Sequence, residues 1–285
     1  MSGLKIITFL TDFGWAGGYV AVCEAIVTRV TPEARIFHIS HDVPVGDIAA
    51  GALTLERIAP FFSPAVHLAL VDPGVGTGRR PLALTTARGD VLVGPDNGLL
   101  LAAAGALGGL STAWCLDVSL IREIAGLPAD QLSSTFHGRD VFAPAAAVIA
   151  ATADPAPLGS PLDPAVLVHL APALVDLADE GATAQVIEID RFGNVGLALR
   201  FADFAPQERR FLVEVVGEDL PEWTARVVRT YGDLGSGELG IFRDSWGQVA
   251  LALKSASAAQ LLSLDRGMLV HLKPLPDYSA WSDPA

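Results

Sequence analysis

Three short segments concentrate the side chains that could do chemistry. Asp72-Pro73-Gly74-Val75-Gly76-Thr77-Gly78-Arg79-Arg80 sets a carboxylate at the end of an apolar run and follows it with three glycines and two arginines. Such a loop lets backbone approach a ligand closely while Asp and Arg stay near it, although a glycine turn capped by a surface Asp reads the same way. No Lys-Ser or Lys-Thr follows the glycines, so this is not a nucleotide-phosphate loop of the Walker type. Ser133-Ser134-Thr135-Phe136-His137-Gly138-Arg139-Asp140 gathers hydroxyls, a ring and an imidazole at a helix start. His137 there suits a base or hydrogen-bond donor near neutral pH if a carboxylate fixes its tautomer, or else a turn histidine beside helix-capping hydroxyls. In Glu188-Ile189-Asp190-Arg191-Phe192-Gly193-Asn194-Val195, a tight hairpin, Asp190, Phe192 and Asn194 share a parity and can offer a carboxylate, a ring and an amide to one ligand. Plain turn chemistry explains Gly193-Asn194 almost as well.

Other constellations are weaker. His38 and His41, with Asp42 and Asp47 behind them, invite a metal reading, but no third ligand stands at a zinc or iron spacing. No cofactor or metal is expected. Gly-x-Ser-x-Gly does not occur and Ser133-Ser134 lies outside any strand-to-helix elbow, which disfavours a serine hydrolase.

These segments need elements to hold them. Apolar runs alternate with helical patterns over Lys5 to Leu10, Tyr19 to Val30, Ala34 to Ser40, Ile48 to Phe61 and Val66 to Val71, the rhythm of βαβ units and a largely parallel sheet. Each strand candidate ends in a polar or glycine-rich turn, and open α/β sheets bind ligands outside those carboxyl ends. Ala143 to Ala153 reads as a buried helix. Prolines crowd Asp154 to Pro172 beyond what a helix or central strand tolerates. The expected plan is an N-terminal α/β domain over 1–165, a linker over 166–183 and a C-terminal β-barrel-like domain over 184–285. Seven strands fill the last: Ala184 to Asp190, Val195 to Phe201, Arg210 to Val216, Arg226 to Tyr231, Glu238 to Phe242, Gln248 to Lys254 and Met268 to Lys273.

Composition bounds the partners. The 285 residues are 51% hydrophobic with a net charge of −13, which repels polyanions and makes nucleic acid an unlikely ligand. Cys23 and Cys115 are far apart and without metal spacing, as in a reducing cytoplasm. No leader pattern opens the chain and no apolar stretch reaches membrane-spanning length, so a protein of the cytoplasm is expected.

Six motifs in order carry a resemblance: Thr11-Asp12-Phe13-Gly14, His41-Asp42-Val43-Pro44, Val71 to Thr77, Gly94-Pro95-Asp96-Asn97-Gly98-Leu99-Leu100, Ser134 to Asp140 and Ile189 to Asn194. Together they resemble the S-adenosylmethionine hydroxide adenosyltransferases, relatives of the fluorinase and chlorinase, from about residue 5 to about residue 273.

The resemblance implies hydrolysis of S-adenosylmethionine to adenosine and methionine, in homotrimers whose sites lie between one subunit's N-terminal domain and a neighbour's C-terminal domain. It implies an Asp72, Arg79 and His137 triad around the attacking water, where the halogenases carry tyrosine at the positions of Asp72 and His137. Water must lose a proton to become a good nucleophile, whereas a halide mostly needs desolvation. One assignment has His137 take the proton, Asp72 orient the imidazole and Arg79 stabilise developing hydroxide; another has Arg79 acidify the water and Asp72 anchor it. The resemblance further implies Asp12 on the ribose hydroxyls, Asn194 on the adenine edge, Phe192 and Tyr231 on adenine faces, Asp190 and Ser245 near the methionine ammonium and carboxylate, and Thr135 and Phe136 in the substrate site. Gly17, Gly46, Trp246 and Leu253 depart from the family pattern. Alternatives are a halide-dependent adenosyltransferase, for which Gly138 would leave space beside the reacting carbon, and a non-catalytic sensor of S-adenosylmethionine or adenosine.

Overall fold

In the computed structural model β1 (Ile6–Thr11) is buried from Ile7 onward, because helices cover both faces of the sheet it belongs to. The structure describes residues 3–128, 132–206, 209–218 and 220–275. Two compact units divide between Leu170 and Ala171.

In the first unit β1 is followed by α1 (Tyr19–Val30), β2 (Arg35–Ser40), α2 (Ile48–Ile58) and β3 (Val66–Leu70). Next come β4 (Pro81–Thr86), β5 (Val91–Pro95), α3 (Leu101–Ala106), β6 (Leu110–Leu116), α4 (Val118–Ile124), α5 (Ala143–Thr152) and β7 (Gly159–Leu162). The sheet runs β2-β1-β3-β5-β4-β6-β7. Pairing is parallel from β2 to β5 and antiparallel from β5 to β7. Alternate residues point to opposite faces, which builds two apolar layers. Phe9, Leu68 and Val93 face a layer with α1 and α5, while Leu10, Ala69 and Leu92 face one with α2 and α3.

The βαβ rhythm of the sequence therefore matches this half of the chain. The helix expected over Ala143 to Ala153 is α5, apolar all round and buried, closed by Ala153 in the left-handed conformation. The proline-dense stretch still contributes β7, with Pro161 on the outermost strand of the sheet, where proline is tolerated.

The second unit contains β8 (Val175–Ala178), β9 (Gly181–Ile189), β10 (Val195–Arg200), α6 (Phe201–Phe204) and β11 (Arg210–Val215). It continues with β12 (Trp223–Val227), β13 (Leu239–Arg243), β14 (Gln248–Leu253), α7 (Ala258–Leu261) and β15 (Leu269–Leu275). Strand order is β10-β14-β13-β12-β11-β15-β9-β8, and β9 also pairs with β10, closing seven strands into a barrel with β8 appended. Closure removes the exposed edges that an open sheet would leave. Inward residues such as Val186, Leu197, Val213, Ile241, Leu251 and Leu272 form its core.

Two details differ from the sequence reading. The stretch 166–183, expected as a linker, carries β8 and the start of β9, which pair through Ala178 and Gly181. The strand expected over Arg226 to Tyr231 is β12, three residues earlier at its start. Asp233 accepts from the backbone N–H groups of Arg229 and Thr230, which turns the chain into a 3-10 helix over Tyr231–Asp233 and ends the strand.

Candidate active site

At the carboxyl ends of the neighbouring strands β2, β1 and β3 lie the loops that follow Ser40, Thr11 and Leu70. Backbone contacts tie them together: Gly14 N–H donates to the carbonyl of His41 at 2.8 Å, and Gly46 N–H donates to Asp12 Oδ2 at 2.8 Å. Asn97, in the turn after β5, donates to the carbonyl of Val71 at 2.8 Å and fixes the segment that carries Asp72.

The glycine loop meets the histidine segment at Gly76. Its φ is +77°, and a Cβ there would stand 2.6 Å from the carbonyl oxygen of Ser134, so both the turn and the close approach require glycine. Arg79 Nε donates to both carboxylate oxygens of Asp72 at 2.9 and 3.0 Å, and Nη2 to Oδ2 at 2.5 Å. Nη2 also donates to His137 Nδ1 at 2.9 Å. The guanidinium lies over the Phe142 ring, 5.0 Å from its centroid. Such planar paired contacts are what Arg makes and Lys cannot.

This arrangement fixes a tautomer. A guanidinium has no acceptor, so His137 Nδ1 must be the lone-pair nitrogen and the neutral ring carries its proton on Nε2. Burial and the adjacent Arg79 charge push the His137 pKa below its ordinary value, the Asp72 and Asp140 charges opposing in part. The expectation that Asp72 would orient the imidazole directly gives way to a different order: Arg79 stands between them, because the loop length from Asp72 to Arg79 folds the guanidinium back onto the carboxylate.

Three residues after His137, Asp140 is a buried carboxylate that accepts from Ser133 N–H at 2.8 Å and is gripped by Arg139. The chain between them passes through Gly138 into a π-helical turn, Gly138–Phe142. Gly138 leaves no open space: a Cβ there would meet Phe136, Phe13 and Leu70 at 3.1 to 3.3 Å. Thr135 is exposed and its N–H is held by Ser133 Oγ at 3.2 Å, while Phe136 packs edge-on against Phe13 and Tyr19 at 5.9 and 5.1 Å. Sequence reasoning passed over Tyr19, Asn97 and Asp140. Asn97 and Asp140 stand inside motifs already noted, whereas Tyr19, 50% exposed at the start of α1, gave no local signal.

The second unit brings together all the remaining predicted residues. Asp190 accepts from Phe192 N–H, Asn194 N–H and Asn194 Nδ2 at 2.8, 2.9 and 2.7 Å, so the carboxylate organises its own hairpin turn. At Gly193, with φ +81°, an added Cβ would collide with Ser257, and the Gly193 carbonyl accepts from Ala259 N–H at 3.0 Å. Two adjoining cavities share Asp190, Asn194 and Tyr231. One of about 470 Å³ is also lined by Arg243, Ser245 and Trp246, the other of about 760 Å³ by Phe192, Leu253 and Ser257. Trp246 and Leu253, two of the departures from the family pattern, thus line these cavities. Gly46 holds Asp12 through its backbone.

His38 and His41 do come together, but in a hydrogen-bonded line; among the described residues no three His, Cys, Asp or Glu side chains converge as a metal site.

The chain is similar to known proteins over most of its length. A (R)-S-adenosyl-L-methionine hydrolase of Salinispora tropica is 46% identical over 92% of this chain and 95% of its own. One from Thermus thermophilus is 37% identical over 94% of this chain and 100% of its own. A fluorinase of Actinoplanes sp. is 26% identical over 94% and 97%. The crystal structure of an uncharacterised conserved protein from Thermotoga maritima superposes with a TM-score of 0.83 at 30% identity, covering 94% of this chain and 99% of that one. The SAM hydroxide adenosyltransferase N-terminal domain matches residues 7–159 and the SAM hydroxide adenosyltransferase C-terminal domain matches residues 184–271, so the chain belongs to the SAM hydroxide adenosyltransferase family.

Proposed function

We propose that this protein hydrolyses S-adenosyl-L-methionine to adenosine and L-methionine. The observation that carries the reading is the Asp72–Arg79–His137 cluster, a fixed cation beside a neutral imidazole, on a chain whose relatives at 37 to 46% identity are named (R)-S-adenosyl-L-methionine hydrolase. In the reaction a water oxygen bonds to the ribose 5′ carbon as the bond from that carbon to sulfur breaks. The electron pair goes to sulfur, methionine leaves as a neutral thioether, and the water's proton is released to solvent. A leaving group that departs neutral needs no general acid.

The geometry favours the assignment in which Arg79 does the electrostatic work. Its charge lowers the energy of developing hydroxide, and Asp72 pins it so that no reorganisation is needed at the moment of reaction. His137, with Nδ1 occupied by Arg79, offers Nε2–H as a donor and acts as a base only if that bond is first given up. Asp12 holds the ribose hydroxyls, Asn194 the adenine edge, Phe192 and Tyr231 its faces, and Asp190 and Ser245 the methionine end, with Thr135 and Phe136 beside the reacting carbon. The crowding around Gly138 weighs against a halide pocket there.

The same reading includes a homotrimer, as the family resemblance implies, and a cytoplasmic location, in keeping with free Cys23 and Cys115. Among the described residues no helix is long and apolar enough to cross a membrane.

The test is to incubate purified protein with S-adenosylmethionine, with and without chloride, and separate the products by chromatography. Adenosine and methionine in equal amounts, independent of chloride and lost in Arg79→Ala, are expected. A 5′-chlorinated nucleoside would replace this reading with halide transfer, and intact substrate with measurable binding would replace it with a sensor.

A further inference from the structure

The proposed reaction leaves His38 and His41 without work. His38 lies in β2 and His41 three residues on, an odd separation that in a regular strand sends side chains to opposite faces. The pairing of β1 with β2 slips by one residue here: Phe9 faces His38, but Leu10 faces Ser40. This bulge at the rim of the sheet takes Ile39 out of register and turns both imidazoles to the same side. Phe9 and Trp15 enclose them, each ring edge-on to His41 at 4.9 and 4.6 Å between centroids.

A continuous chain of contacts results. His38 Nε2 lies 2.9 Å from Glu24 Oε1 on α1, His38 Nδ1 lies 2.7 Å from His41 Nε2, and His41 Nδ1 lies 2.8 Å from Thr11 Oγ1. Its direction follows from the two ends. The Glu24 carboxylate only accepts, so His38 carries its proton on Nε2, leaving Nδ1 to accept from His41 Nε2–H. His41 Nδ1 must then accept from the Thr11 hydroxyl, whose oxygen is left to accept Phe13 N–H at 3.1 Å. Every polar group of the chain then has a partner. Burial and the neighbouring His38 hold the fully buried His41 down at about pKa 4, against a small opposing pull from Asp42, so the ring is neutral at neutral pH.

The inner end of the chain is the turn that carries Asp12. Thr11 Oγ1 holds Phe13 N–H and so spans Asp12, and the carbonyl of His41 holds Gly14 N–H one residue further on. We propose that Glu24, His38, His41 and Thr11 form a directed hydrogen-bond chain that positions the Asp12 turn and thereby sets how tightly the protein grips the sugar of its nucleoside ligand. This inference rests on the reading in which Asp12 binds the ribose. The four residues are positioning residues, since none of them needs to touch substrate.

Two measurements test it. In the wild-type protein, long-range nitrogen-15 NMR should show His41 protonated on Nε2 and unprotonated on Nδ1 at neutral pH; the opposite tautomer would overturn the chain's direction. In Thr11→Val and in His38→Ala, the latter at a partly exposed side chain, KM for S-adenosylmethionine and Kd for adenosine should each rise about tenfold, the loss of one hydrogen bond in the chain. Turnover at saturation should stay within about twofold by the same reasoning, and Thr11→Ser, which keeps the hydroxyl, should restore affinity. Folded variants with unchanged KM and Kd, or a fall in turnover with affinity intact, would overturn the proposal. A wild-type protein that neither binds adenosine nor cleaves S-adenosylmethionine would instead sink the hydrolase reading, and the tautomer measurement distinguishes the two failures because it needs no substrate.

Discussion

The Asp72–Arg79–His137 cluster of the first unit and the hairpin cavities of the second are built on opposite principles. In the first, the carboxylate, guanidinium and imidazole are locked on each other, with the Asp72 and Arg79 side chains only 11 and 10% exposed. In the second, the carboxylate of Asp190 is likewise engaged, but Phe192 and Tyr231 stand 74 and 48% exposed. A group that must stabilise charge in a transition state gains from being fixed in advance, whereas rings that recognise a flat ligand lose little by waiting for it. In the proposed reading the reacting centre is thus completed on folding and the recognition surface is completed by its ligand.

That contrast can be broken most decisively at Arg79. Arg79→Ala removes a preorganised donor and should lower turnover by roughly 10²- to 10³-fold with KM little changed; steady-state kinetics on S-adenosylmethionine would read this, and a rise in KM alone would assign Arg79 to binding. Acid should next separate the two units. His41 is held at about pKa 4 against an ordinary 6.5, so the unfolded chain binds the extra proton first and stability falls as pH drops from 6.5 toward 4. The loss amounts to roughly 3 kcal/mol. In the second unit Glu238, hydrogen-bonded by Arg226 and by Gly235 N–H, sits at about 2 rather than 4.5, so its contribution persists to below pH 4.5 and is lost toward pH 2. Thermal unfolding between pH 7 and 4 should therefore lower the transition of the first unit well before that of the second. His41→Gln should flatten this dependence; simultaneous acid loss in both units would deny it.

Smaller effects belong to recognition. Phe192→Ala should raise KM about tenfold and leave turnover at saturation unchanged, since an aromatic face is worth about 1 kcal/mol beyond the area it buries. Ser245→Ala should raise KM only about threefold, the low end of a neutral hydrogen bond. If either change lowered turnover as strongly as Arg79→Ala, the division of labour between the two regions would be wrong.

Much of this was legible residue by residue. The alternation of apolar runs and helical patterns gave β1, α1, β2, α2 and β3 nearly to their ends, since a strand buried between two layers of helix leaves little freedom in composition. Asp72, Arg79 and His137 were visible as a carboxylate, a cation and an imidazole in glycine-rich turns. β12 was misplaced because Val227, Val228, Thr230 and Tyr231 suit a strand locally, while the turn that ends it depends on Asp233, beyond the segment. β8 was missed because it is only four residues long, all of them exposed, and pairs only with β9.

The sequence by itself determined the two-part architecture, the residues that carry charge and ring surface, and the absence of a phosphate loop or serine elbow, because periodicity and turn chemistry are local properties. Only the tertiary structure decided who contacts whom: that Arg79 stands between Asp72 and His137, that Gly76 brings their loops together, and that a one-residue bulge lines up His38 and His41. Those outcomes depend on register and on close approach between segments tens of residues apart, and neither quantity is encoded in the spacing of side chains along one stretch of chain.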